Sequence, residues 1–187
     1  MSHVFVLVVP TYPRPLFITD AALNIYPDLE AKRDIVQNAI DLAHVLGIQM
    51  PRVAILSAVE TVNPKIRSTL EAAALCKMAD RGQITGGVVN GPLAFDNAVS
   101  PEAARAKGIV SPVAGQADIL VVPDLEAGNM LVKQLEYLAE AQITGIVLGA
   151  RVPIVLTSRA DDPRARLASC ALALLVAQSK MRTLPGT

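Results

Sequence analysis

Thr157-Ser158-Arg159-Ala160-Asp161-Asp162-Pro163 sets a hydroxyl pair beside a guanidinium, with two carboxylates and a proline directly after. An arginine offers a planar fork of donors that fits a phosphate, and the residues that follow read as the start of a helix, whose free N–H groups also favour an anion. The chemistry this points to is phosphate recognition. The same letters also spell an ordinary capped helix, with Asp161 or Asp162 as cap and Pro163 in the first turn. Both readings stand at this level.

Pro123-Asp124-Leu125-Glu126-Ala127-Gly128-Asn129 is a second candidate. It follows an apolar run and precedes a helical pattern, so Asp124, Gly128 and Asn129 fall at the carboxyl end of a predicted strand, where open α/β sheets bind ligands. Against this, Asp124 is a good helix cap and Gly128 permits close packing. Asp96 and Asn97 follow another predicted strand and are turn formers as readily as ligands. His3 and His44 lie far apart in sequence, and Cys76 and Cys170 fall in apolar helical patterns where a thiol acts as a small core residue; no metal-site spacing appears. His44 reads as a surface residue in the last turn of a helix. Glycine-rich nucleotide loops, a Gly-x-Ser-x-Gly elbow and a cysteine paired with histidine are absent.

The elements that must position these residues follow from periodicity. Residues 119–122 read as a buried strand, 125–140 as a helix with Met130, Leu131, Leu135 and Leu138 on one face, and 143–148 as a second strand, a βαβ unit. Upstream, 4–9 and 16–19 form two strands across a proline-rich link, which suggests an antiparallel pair. A helix runs from Pro27-Asp28 to Leu46 with Gly47 as its stop, 52–57 is a strand, and Asn63-Pro64 starts a helix to Ala79. A strand over 84–90 and a short helix over 101–107 come next. Residues 154–156 read as a short strand, and 165–178 as a helix so apolar that it should be buried on several sides. The alternation predicts an α/β fold, a largely parallel sheet with helices on both faces.

The chain has 187 residues, 52% hydrophobic and 18% charged, with 17 basic and 17 acidic side chains. That balance gives no reason to expect nucleic acid or an anionic membrane as partner. The first residues lack the positive flank of a signal peptide, no run reaches membrane-spanning length, and the cysteine usage suits a reducing compartment. The expected setting is cytoplasmic.

Phe17-Ile18-Thr19-Asp20-Ala21-Ala22, Asn90-Gly91-Pro92-Leu93-Ala94-Phe95-Asp96, Ser111-Pro112-Val113-Ala114-Gly115, the Val122 to Asn129 stretch and Thr157-Ser158-Arg159 together resemble, in order and spacing, the phosphate acetyltransferase and phosphate butyryltransferase family. The stretch from Asn90 to Asp96 and the Ser-Arg-Ala-Asp-Asp motif resemble the butyryl branch and the acyltransferase part of chains that also carry an enoyl-CoA hydratase domain. The resemblance implies a fold like that of isocitrate and isopropylmalate dehydrogenases, with a site between two α/β domains, and a homodimer. It implies transfer of an acetyl or butyryl group between coenzyme A and inorganic phosphate. Coenzyme A is then a substrate, with no permanently bound cofactor and no metal. Ser158, Arg159 and Asp161 would be catalytic, and Asp96, Asp124, Gly128, Asn129 and Thr157 substrate-binding. The acetyl enzymes carry cysteines where this chain has Ala21 and Asp161, and their proposed base, an aspartate, aligns with Ala165, so Asp161 or Asp162 would have to substitute. Against the family pattern the N-terminal part is missing, so residues 1–150 are expected to be the second domain and 151–187 a return segment of the first. Activity would then be impaired, and the alternative is a non-catalytic binding or dimerisation module. A metal-dependent decarboxylating dehydrogenase is disfavoured, because neither an aspartate cluster nor a dinucleotide fingerprint appears.

Overall fold

In chain order the elements are β1 (Ser2–Val8), β2 (Leu16–Thr19), α1 (Leu29–Val45), β3 (Arg52–Leu56), α2 (Arg67–Asp80), β4 (Val88–Leu93), α3 (Phe95–Val99), α4 (Pro101–Ala106), β5 (Ile119–Val121), α5 (Leu125–Leu138), β6 (Gln142–Leu148) and α6 (Pro163–Thr183). They come from a computed structural model that describes residues 1–159 and 162–183. The strands form one sheet in the order β4-β3-β5-β2-β1-β6. β1 runs antiparallel to both its neighbours, and the β4-β3-β5-β2 pairs are parallel. The expected antiparallel start and largely parallel sheet are both present.

Side-chain alternation along the strands divides the core. Val4, Phe17, Val53, Ile55, Ile119 and Val121 face α1, α2 and α6, whereas Leu7, Ile18, Ala54, Leu56 and Leu120 face α5 and the α3–α4 side. Each strand in the middle of the sheet is apolar on both faces because helices cover both. The α1 boundaries are legible in its ends: Asp28 accepts from the Ala31 N–H at 2.8 Å, and Gly47 takes φ +88 just past the helix.

Several expectations need correction. α2 begins at Arg67, not at Asn63-Pro64; there the Asn63 side chain accepts from the Lys65 N–H and makes a turn instead. β4 lies three to four residues later than predicted and runs through Pro92, which an edge strand tolerates because one side of it needs no donor. Residues 154–156 make a single bridge, Ile154 to Val147, rather than a strand. Asp96 and Asn97, expected as turn formers or ligands, sit in the short helix α3. α6 is longer than predicted and packs on one side only: Leu172 and Val176 are buried, while Leu167, Leu174, Leu175 and Met181 are exposed. Cys170 on that helix is exposed too, whereas Cys76 is half-buried, its thiol reaching the Gly91 carbonyl and pushed up to about 11 by burial. Among the described residues no helix is long and apolar enough to cross a membrane.

Candidate functional site

β2, β3, β4, β5 and β6 all end at one edge of the sheet, and β1 begins there. Away from that edge, on the α5 face of β1 and β6, lies a cavity of about 200 Å³. Its wall is formed by Asn129, Val132, Lys133 and Glu136 of α5, by His3 and Phe5 of β1, by Ala22 and Ile143, and by Leu156, Thr157 and Ser158. Three of the expected residues, Asn129, Thr157 and Ser158, are therefore brought together across a gap of 28 residues in sequence.

α5 is held in place by the remaining parts of its own motif. Asp124 accepts from the Ala127 N–H at 2.9 Å as the helix cap, in the alternative role the sequence allowed. Gly128 is packed so closely that a Cβ there would lie 2.7 Å from Val122 Cγ2 and 2.8 Å from Ala21 Cβ. The next residue, Asn129, donates through Nδ2 to the Ala21 carbonyl at 3.4 Å. That carbonyl sits in a loop pinned by Asp20, whose carboxylate accepts from the N–H groups of Ala22, Leu23 and Asn24 at 3.0, 3.1 and 3.3 Å. Asp20 itself is buried. Asp124 also borders a separate crevice of about 420 Å³, with Tyr26, Lys65, Arg67 and Ser68.

The strap from β6 to α6 carries the hydroxyls. Val147 and Ile154 exchange N–H···O bonds of 2.8 and 3.2 Å, and at the far end Asp162 caps α6 by accepting from the Ala165 N–H at 2.7 Å. Arg159 is exposed; its carbonyl accepts from the Arg166 guanidinium at 3.3 Å, and among the described residues no carboxylate pairs with its side chain. Asp161 lies outside the described residues. Ser169 ties the start of α6 to the sheet, accepting from the Gly145 N–H at 3.1 Å and donating to the Ala165 carbonyl.

Asp96 is not part of this assembly. It lies in the first turn of α3 after β4, on the far side of the sheet; five strand spacings separate β4 from β6, about 24 Å. Its carboxylate is 3.4 Å from Lys107, which also bonds Glu60, and Glu60 accepts from Asn97. The Lys107 hydrogen bond holds the Glu60 carboxyl below its ordinary range, and the Lys107 ammonium is raised in return. His44 is half-buried, with Nε2 2.7 Å from the Gly86 carbonyl, and takes no part. Among the described residues no group of three or more His, Cys, Asp or Glu is placed to hold a metal ion. The sequence reading missed His3 and Asp20. A polar residue at the same parity as Phe5 and Leu7 in an apolar strand, and an aspartate directly after a strand, were the available signals.

A family model described as phosphate acetyl/butaryl transferase matches residues 1–174. The phosphate acetyltransferase of Rhizobium meliloti is 73% identical over 177 residues, covering 95% of this chain and 56% of that protein. The probable phosphate butyryltransferase of Bacillus subtilis is 53% identical over 178 residues, again 95% of this chain and 60% of that protein. Among solved structures, a branched-chain phosphotransacylase from Enterococcus faecalis V583 superposes with a TM-score of 0.86 at 38% identity, covering 93% of this chain and 62% of that one. The chain thus spans a little over half the length of these curated relatives.

Proposed function

From the premise that this chain belongs to the phosphate acetyl- and butyryltransferase family, we propose that it moves an acetyl or butyryl group between coenzyme A and inorganic phosphate. In the direction of thioester synthesis the coenzyme A thiolate attacks the acyl carbon of the acyl phosphate, the bond between that carbon and the bridging oxygen breaks, and phosphate leaves with that oxygen and the electron pair. Arg159 holds the phosphoryl oxygens through its planar fork, and Ser158 donates a hydrogen bond to the oxygen on which charge develops. Thr157 and Asn129 complete the wall against which the substrate is aligned, so most of the rate gain comes from orientation and fixed dipoles. Asp161 is the proposed base for the thiol. Asp124 and Gly128 serve the site by fixing the first turn of α5.

The observation that carries this reading is the convergence of Asn129, Thr157 and Ser158 on one cavity, with Arg159 next on the strap. We also propose a cytoplasmic homodimer. Met130 and Tyr137, seven residues apart on α5, are both exposed, as are Leu138 and Val110, and they suit contact with a second copy. The exposed Leu167, Leu174, Leu175 and Met181 of α6 support reading residues 151–187 as a segment that returns to another domain of the family fold. Coenzyme A enters as substrate, without a resident cofactor.

Incubating the purified chain with acetyl-CoA or butyryl-CoA and inorganic phosphate, and titrating released thiol, tests the assignment. Phosphate-dependent release from either thioester is the expected result. Coenzyme A binding without such release would instead establish a non-catalytic binding or dimerisation module.

A further inference from the structure

His3 has no task in the mechanism above, yet it has the most closely tailored seat in the cavity wall. It is fully buried, with its ring centroid 4.2 Å from that of Phe5 at a 55° tilt. The neighbouring strand makes room for it: a Cβ on Gly145 would lie 2.6 Å from His3 Cε1 and 2.8 Å from Nε2. Glycine inside a strand costs about 0.5–1 kcal/mol relative to alanine, and here the space it leaves is filled by the imidazole. From that seat Nε2 lies 3.4 Å from the carbonyl oxygen of Leu156, the residue before Thr157 and Ser158. Among the described residues the strap makes one strand-type bridge to the sheet, at Ile154, so this contact falls between the bridge and the hydroxyls.

We propose that His3 is a positioning residue for the acyl transfer. In its Nε2–H form it donates to the Leu156 carbonyl and fixes the strap so that Ser158 and Arg159 meet the phosphoryl group, and Gly145 is the residue that makes this placement sterically possible. The inference rests on the acyltransferase reading. Lys133 and Glu136 of α5 line the same cavity. The decisive variable is the donor.

The test is kcat and KM for phosphate and for butyryl-CoA, with the thermal midpoint, in the full chain and its His3→Leu, His3→Gln and Gly145→Ala variants. His3→Leu is expected to lower kcat about ten- to a hundredfold, the scale of a misplaced reacting group, with a smaller change in KM for the thioester. His3→Gln keeps a distal N–H donor and recovers most of that loss. Gly145→Ala leaves the histidine in place but pushes its ring away, and falls as far as His3→Leu. A packing role ranks leucine above glutamine; a donor role reverses the order. Should His3→Leu fail to fold, the contrast between an active His3→Gln and an impaired Gly145→Ala decides. Wild-type rates in His3→Leu or Gly145→Ala, or more activity in His3→Leu than in His3→Gln, overturn the inference alone. A wild-type chain with no phosphate-dependent turnover overturns the acyltransferase reading, and the inference with it.

Discussion

At the β4 end of the sheet edge, Lys107 bonds Glu60 and approaches Asp96 at 3.4 Å, and Asn97 donates to Glu60, so these charges are already paired with one another. At the β6 end, Thr157, Ser158 and Asn129 line a cavity, and Arg159 is exposed without a carboxylate partner among the described residues. Both sides of the sheet carry the residue types that bind anions. What separates them is whether a donor would have to break an existing ion pair before it met a substrate. Such a pair offsets much of what an incoming phosphate could contribute.

The largest test of this contrast is Arg159→Ala. Phosphate-dependent kcat/KM should fall about 10²–10³-fold, the scale of removing one fixed donor from a developing oxyanion, with the thermal midpoint unchanged. Retained turnover would detach Arg159 from the chemistry. The next sharpens the frame of the β6 end. Gly128→Ala puts a methyl 2.7 Å from Val122 and 2.8 Å from Ala21, and overpacking of that kind costs about 1–3 kcal/mol. In a chain of this size each kcal/mol lowers the midpoint by about 2–4 °C in a thermal melt. An unchanged midpoint would mean that α5 slides freely over the Asp20 loop.

The smallest effect belongs to the β4 end. Lys107→Met should leave turnover as it is and remove the interaction that lowers the Glu60 pKa. A carboxylate whose folded pKa is depressed contributes stability above its unfolded pKa, and that contribution is lost as pH falls through the folded value. The variant should therefore melt slightly below the parent at pH 7, and the gap should close in acid below pH ~4, the ordinary carboxylate range. A collapse of turnover in Lys107→Met would make the β4 end part of the site.

The fold was legible where burial imposes a period. Alternating Phe17 and Ile18, and the one-sided pattern of α1, each name their element and its buried face. α6 was read less well, because apolar residues all round a helix say nothing about which of its faces this chain covers. In the candidate site, Thr157, Ser158 and Asn129 stood out as polar residues directly after apolar runs, although 154–156 makes a bridge and not a strand. Whether Asp96 or Asp124 is already committed depends on Lys107 and on the Ala127 N–H, and only three-dimensional neighbours reveal that. His3 and Gly145 are 142 positions apart, and each looks unremarked until the strands pair.

β1 is the reversed strand, and it pairs on one flank with β2 and on the other with β6. Among the described residues no other strand hydrogen-bonds β6, so β1 acts as a splice: the ladder bonding described between β6 and the rest of the sheet passes through it. Loosening that splice would part the strap's hydroxyls from the α5 wall while leaving the β4-β3-β5-β2 ladder intact. The amides of residues 2–8 therefore report, by hydrogen exchange, on whether the two halves of the cavity are still joined.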